Sequence, residues 1–198
     1  RRGRVLADDL GLGKTVSRIS ALNREPAIKR VLIVAPKSVL PVWRNELARW
    51  LTRPLSVGIA SATKGMPKEE TDVLLVNYDI IRKHRDELDA RAPWDALVCD
   101  EAHYLKHPET LRTRALLGRT DANRLSRDVH APCPGALRAR RVWLLTGSPV
   151  LNKPLELFPL LRTLDPKGET VGTVRSFSAF RKRYCEREEW REQVKQVR

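Results

Sequence analysis

The sequence predicts an α/β domain built on a parallel, doubly wound sheet, and three observations carry that prediction. Short apolar, β-branched runs recur along the chain. Amphipathic stretches separate them. Residues with chemistry in them stand where the runs end. Four runs read as strands buried on both faces: 31–35 (VLIVA), 73–76 (VLLV), 97–100 (LVCD) and 142–146 (VWLLT). Alternation of strand and helix gives a parallel sheet, whose ligands gather at the carboxyl ends of the strands.

The helices follow from period and punctuation. "KTVSRISALN", from Lys14, can form a helix directly after a glycine-rich turn. In "SVLPVWRNELARWL", Trp43, Leu47, Trp50 and Leu51 share one helical face, so both tryptophans are expected in the core. In "PETLRTRALLG", Pro108 suits a first turn and Gly118 a C-terminal cap. Two segments break the alternation. Residues 120–141 are polar, contain "APCPG", carry Arg124, Arg127, Arg138, Arg140 and Arg141, and read as a basic loop or insertion. From Arg181 onward the chain is mostly charged, "RKRYCEREEWREQVKQVR", and reads as a solvated helix. The expected organisation is one lobe over 1–165 and a closing segment with a charged helical tail over 166–198.

Composition narrows the function classes. The 198 residues carry a net charge of +14, which suits either a solvated arginine-rich surface or a polyanionic partner. Cys99, Cys133 and Cys185 are far apart and form no CxxC pair, which argues against a zinc cluster or disulfide framework and fits a reducing, intracellular setting. No apolar run approaches a membrane span, and "RRGRVLA" has no apolar signal core. The chain lacks an initiator methionine, so a processed chain or fragment is expected.

Two motifs carry chemistry. In "DDLGLGKT", Gly11 and Gly13 let the backbone curl so that its N–H groups face phosphate oxygens. Lys14 would reach the β- and γ-phosphates of ATP, and the Thr15 hydroxyl would ligate Mg²⁺. Asp8 stands where the general G-x-x-x-x-G-K-[ST] pattern has glycine. In "LVCDEAH", a buried strand ends in two carboxylates. Asp100 would hold Mg²⁺, Glu101 would orient and deprotonate the attacking water, and His103 would link the nucleotide to neighbouring motifs. As bland alternatives, the two acids could merely cap a strand end, Ser38 and Asp79 could be helix caps, Tyr78 could be packing, and Lys37 and Lys106 could be solvated charges.

With these two motifs on the page, the chain resembles the Swi/Snf-type ATPases of helicase superfamily 2. Four further blocks line up in order: "VLIVAPKSVLPVWRNELARWL", "DVLLVNYDIIRK", "VWLLTGSPVLNKPLELFPLLRTLDP" and "SFSAFRKRYC". "LADD" and the Phe/Tyr/Cys block lean toward the annealing-helicase branch. The resemblance implies the first RecA-like, P-loop lobe of a two-lobed motor. It places Asp9, Gly11, Leu12, Gly13, Lys14, Thr15 and Val16 at the nucleotide, Thr15 and Asp100 at Mg²⁺, and Lys14, Asp100 and Glu101 in catalysis. It places His103, Thr146, Gly147 and Ser148 in coupling, and Pro36, Lys37, Ser38, Asn77, Tyr78, Asp79 and Lys106 on a DNA strand. Ser148 stands where the family usually has Thr, and Leu151 where it usually has Gln.

The implied activity is ATP hydrolysis coupled to movement on double-stranded DNA, gripped through its backbone, with nucleosomes, forks or other DNA-bound proteins as remodelled partners. The location is the nucleus if eukaryotic, the cytoplasm if bacterial or phage. The adenine-reading block and the second lobe with its arginine fingers are not in this sequence, so this chain alone is expected to bind nucleotide and turn over little. Three other readings stand beside this one: a DEAH-type RNA helicase, a restriction-type helicase subunit, and a non-catalytic DNA-binding scaffold.

Overall fold

The computed structural model describes residues 2–8, 11–118, 135–148, 154–165 and 177–185. The chain divides into two compact units, Arg1–Ala102 with Leu137–Ser148, and His103–Ala136 with Pro149–Arg198.

The first unit holds a six-stranded sheet: β1 (Arg2–Leu6), β2 (Val31–Ala35), β3 (Val57–Ile59), β4 (Val73–Asn77), β5 (Trp94–Cys99) and β6 (Ala139–Leu145), in the order β1-β6-β5-β2-β4-β3. Every pairing is parallel. Residues 31–35 and 73–76 are wholly excluded from solvent, as expected of central strands in a parallel sheet. Each such Val, Leu or Ile contributes about 1.5–3 kcal/mol through burial.

Two helices in this unit matter for the site. α1 (Lys14–Arg24) runs back from the carboxyl end of β1 and buries Ile19 and Leu22. α2 (Leu40–Trp50) buries Trp43 and Leu47 against the same core cluster. A shorter helix, α3 (Arg85–Ala90), precedes β5.

The register decides where function can gather. Ala35 pairs with Asn77, Val34 with Cys99, Cys99 with Leu144 and Leu145 with Leu6, so five strands end in line. The residues leaving those ends therefore share one rim.

The second unit contains α4 (Leu111–Leu117), α5 (Phe158–Leu164) and α6 (Phe177–Tyr184). Phe158 meets Phe177 and Phe180 edge-on, at ring-centroid distances of 5.2 and 5.4 Å.

Several sequence expectations change. β1 and β3 are not legible in the sequence: three of the five residues of one are glycine or arginine, the other has three residues, and both are edge strands. β5 begins at Trp94, and β6 at Ala139 inside the segment read as a basic loop. Arg140 and Arg141 fit a strand because they pair with Asp95 and Glu25, at 3.4 and 3.6 Å. Residues 120–134 of that segment, with Arg124, Arg127 and Cys133, lie outside the described residues, as do Leu151 and 186–198.

Trp50 is 42% exposed rather than in the core, and the Arg49 guanidinium lies 4.9 Å from its ring centroid. α4 starts after Thr110, whose side chain accepts from the Thr113 N–H, so Pro108 lies upstream of the first turn. Gly118 does end the helix, at φ 76°. Among the described residues no helix is long and apolar enough to cross a membrane.

Candidate functional site

The glycine-rich turn has the open geometry its sequence requires. Gly11 and Gly13 take φ of +84° and +72°, a region costly for residues with a Cβ. A Cβ at either position would meet nothing within 4 Å, so the turn is a cradle and not a packed corner. Gly13 is the N-cap of α1 and, as glycine, supplies no side-chain cap of its own. The first amides of α1 and its dipole are thus available to an anion.

Lys14 is buried to 9% exposure, and its Nζ donates to the Asp8 carbonyl at 2.8 Å. An ammonium resting on a carbonyl across this loop can exchange that partner for phosphate oxygens. Thr15 and Val16 are half-buried in the first turn of α1, whereas Leu12 is 66% exposed. Asp9 lies outside the described residues.

Asp100 leaves β5 on the same rim and is 7% exposed. Its Oδ2 accepts from the Trp43 indole Nε1–H at 2.7 Å, and its Oδ1 from the Glu101 N–H at 2.9 Å. Its carbonyl accepts from the Tyr78 hydroxyl at 2.6 Å. All its side-chain donors are neutral N–H groups, and among the described residues no cation pairs with it. A carboxylate so held still has spare lone pairs that a metal ion could use.

Glu101 follows in the left-handed region at φ 49°, the one non-glycine residue there among those described. Such a conformation costs about 1–2 kcal/mol and recurs at functional sites. The donor set of Thr15 hydroxyl and Asp100 carboxylate fits Mg²⁺, which favours one or two protein oxygens completed by phosphates and water.

Thr146 is fully buried. Its N–H donates to the Leu6 carbonyl at 3.1 Å, and its hydroxyl accepts from the Ser148 N–H at 3.1 Å. The Thr146–Gly147–Ser148 turn is therefore stapled to the strand that feeds the glycine-rich loop.

Farther along the rim, the ends of β2, β3 and β4 enclose a cavity of about 370 Å³, lined by Lys37, Ser61, Thr63, Asn77 and Asp79 among others. Lys37 and Ser38 are exposed and Pro36 half-buried in a turn preceding α2. Ser38 caps nothing: the N-cap of α2 is Val39, without a side-chain bond. In the separate turn Tyr78–Ile80 the cap is Asn77 and not Asp79, the Asn77 side chain accepting from the Asp79 and Ile80 N–H groups at 2.9 and 3.2 Å. Asp79 is exposed, but Tyr78 is 2% exposed and turns its hydroxyl to Asp100, so its side chain does not face the rim's surface.

His103 and Lys106 belong to the second unit. His103 packs its ring on Tyr104, with centroids 5.0 Å apart. Lys106 is not a solvated charge, for its Nζ pairs with Glu156 at 3.0 Å.

Sequence reasoning missed the Trp43 and Tyr78 bonds to Asp100, the Ser61–Thr63 wall and the Glu156 partner. One signal was available: a buried tryptophan N–H needs an acceptor.

Comparison with known proteins agrees with this geometry. Residues 1–126 match the model of the family described as SNF2-related domain. The DNA repair and recombination protein RAD54 of Oryza sativa subsp. japonica is 30% identical over 92% of this chain and 18% of its own length. The SWI/SNF-related matrix-associated actin-dependent regulator of chromatin subfamily A-like protein 1 of Bos taurus is 31% identical over 96% of this chain and 18% of its own. The solved Sulfolobus solfataricus SWI2/SNF2 ATPase core in complex with dsDNA superposes with a TM-score of 0.69 at 26% identity, covering 91% of this chain and 34% of that one. The chain thus spans less than a fifth of the length of these two curated relatives.

Proposed function

The chain belongs to the SNF2-related domain family, and on that premise we propose that it is the ATP-binding first lobe of a motor that moves along duplex DNA. The observation that carries this reading is the shared rim. Parallel register delivers the glycine-rich loop, Asp100–Glu101 and Thr146–Ser148 to adjacent strand ends, beside a cavity containing Lys37 and Asn77.

In this reading residues 9 and 11–16 hold the nucleotide. Lys14 trades the Asp8 carbonyl for phosphate oxygens, and Thr15 with Asp100 holds Mg²⁺. The ion, when bound, neutralises charge building on the transferring phosphate. Glu101 accepts a proton from the attacking water. Thr146, Gly147 and Ser148, with His103 of the second unit, convey phosphate state to a second lobe.

Pro36, Lys37, Ser38, Asn77 and Asp79 face the DNA backbone. Tyr78 acts from behind them, and Lys106 contributes through the helical unit. Such contacts position without reading sequence. Each phosphate contact adds about −0.9 to the log–log salt slope of duplex binding.

Residues 1–165 make the lobe and 166–198 close it. The remodelled partner is a nucleosome, a fork or another DNA-bound protein, in the nucleus of a eukaryote or the cytoplasm of a bacterium or phage. The facing lobe supplies arginine fingers worth about 10³–10⁵ in rate, so this chain alone binds nucleotide with little turnover.

The test is ATP hydrolysis by the intact protein with duplex DNA, duplex RNA or neither. Stimulation by DNA, lost in Lys14→Ala and Glu101→Gln, is expected. Equal stimulation by RNA would move the substrate class to RNA, and DNA binding without turnover would leave a scaffold.

A further inference from the structure

We propose that Trp43 and Tyr78 are positioning residues that tie the two DNA-facing turns to Asp100, so that a seated duplex and the magnesium–nucleotide complex favour one another through these two hydrogen bonds. The proposal rests on reading Asp100 as the magnesium carboxylate.

Asp100 is held from two directions, and each leads to a different DNA-facing turn. Trp43 stands three residues into α2, whose first turn continues directly from Lys37–Val39. Its side chain is fully buried and its indole N–H, a donor only, ends on Asp100 Oδ2 at 2.7 Å. Tyr78 lies between Asn77 and Asp79, in the turn that the Asn77 side chain staples. Its hydroxyl ends on the Asp100 carbonyl at 2.6 Å.

The first bond fixes the carboxylate and the second fixes the backbone that carries it. Asp100 N–H also donates to the Val34 carbonyl at 2.8 Å, on the strand that ends one residue before Pro36. A shift of the first turn therefore moves a donor against the metal carboxylate, and a shift of the second moves one against the backbone carbonyl of the same residue. Close packing makes such shifts discrete rather than gradual. Partners that orient a metal ligand typically change metal affinity or activity about 10–100-fold when removed. Coupling between two ligands is reciprocal, so the nucleotide complex tightens the duplex by the same factor.

The experiment measures the Mg²⁺ concentration that half-saturates binding of a fluorescent ATP analogue to the intact protein, with and without duplex DNA. Thermal melting is recorded for every variant. In the wild type the duplex lowers that concentration about fivefold or more. Trp43→Phe raises it about tenfold without DNA. At saturating duplex, both Trp43→Phe and Tyr78→Phe shrink the duplex effect to about twofold or less.

Tyr78→Phe keeps the ring's packing and decides the matter if Trp43→Phe fails to fold. A wild-type duplex effect in Tyr78→Phe, or in a folded Trp43→Phe, overturns the proposal. Asp100→Asn serves as the control for the underlying reading. If that variant keeps the wild-type magnesium dependence, Asp100 is not the metal carboxylate and both statements fall.

Discussion

Asp95 and Asp100 stand at the two ends of one strand, and they do opposite things. Asp95 Oδ2 accepts from the backbone N–H groups of Lys29 and Arg30, at 2.9 and 3.0 Å, where the chain enters β2. Its other oxygen faces Arg140 at 3.4 Å. Asp100 is as buried, but its side-chain donors are an indole and its neighbour's amide, and among the described residues no guanidinium or ammonium neutralises it.

The same contrast runs along α1. Its far end is clamped by Arg53, which donates to the carbonyls of Leu22, Glu25, Pro26 and Ile28. Its near end begins at the glycine-rich turn with no side-chain cap. At the amino ends of the strands, charge is spent on the chain's own backbone. At the carboxyl ends, among the described residues, Asp100 meets only neutral donors.

The contrast can be broken most severely at Asp100. Asp100→Asn is expected to cut DNA-stimulated ATP turnover per folded molecule about 10³-fold or more. Asp95→Ala should do the reverse. Two backbone donors lose their acceptor, so stability falls by about 2–3 kcal/mol in a denaturant titration, with turnover per folded molecule intact. Arg53→Ala, which frees carbonyls nearer to solvent, is expected to cost about 1–2 kcal/mol in the same titration, again without effect on nucleotide affinity.

A pH series sharpens the same point. Burial pushes the Asp95 carboxyl up, but the N–H groups of Arg30 and Lys29 and the charges of Arg140 and Arg141 outweigh it, and the net shift is downward from 3.8. A depressed folded value means that Asp95 stabilises the fold above its unfolded value and loses that contribution as pH falls through the folded one, below 3.8. Asp95→Asn should therefore flatten stability against pH in that acid range. The smallest effect is expected at Arg30–Glu70, a 2.8 Å pair whose side chains are 43% and 64% exposed. Glu70→Gln should leave the melting temperature unchanged within error.

The same two ends explain what could be read from the sequence. β2 and β4 were legible because both faces are buried and every residue is apolar up to the end. The opening of β5 was not, because Asp95 looks like a loop residue until the Lys29 and Arg30 amides stand against it. Arg140 and Arg141 concealed the start of β6 for a like reason: their partners, Asp95 and Glu25, lie far off in sequence. Trp50 misled because helical spacing assigns a face but not where the core stops.

In the proposed site, Gly11–Thr15 and Asp100–Glu101 could be picked out because spacing and residue type suggest their chemistry locally. Trp43 and Tyr78 gave no such sign. Their importance lies in hydrogen bonds that span 57 and 22 residues of chain and exist only once the sheet has closed.

The most direct test of the central claim sets Asp100→Asn beside Asp95→Asn in the intact protein, measuring DNA-stimulated ATP hydrolysis and thermal melting on the same preparations. The account predicts that the first variant does not turn over even per folded molecule, while the second turns over per folded molecule and melts early. Wild-type turnover by Asp100→Asn would contradict it.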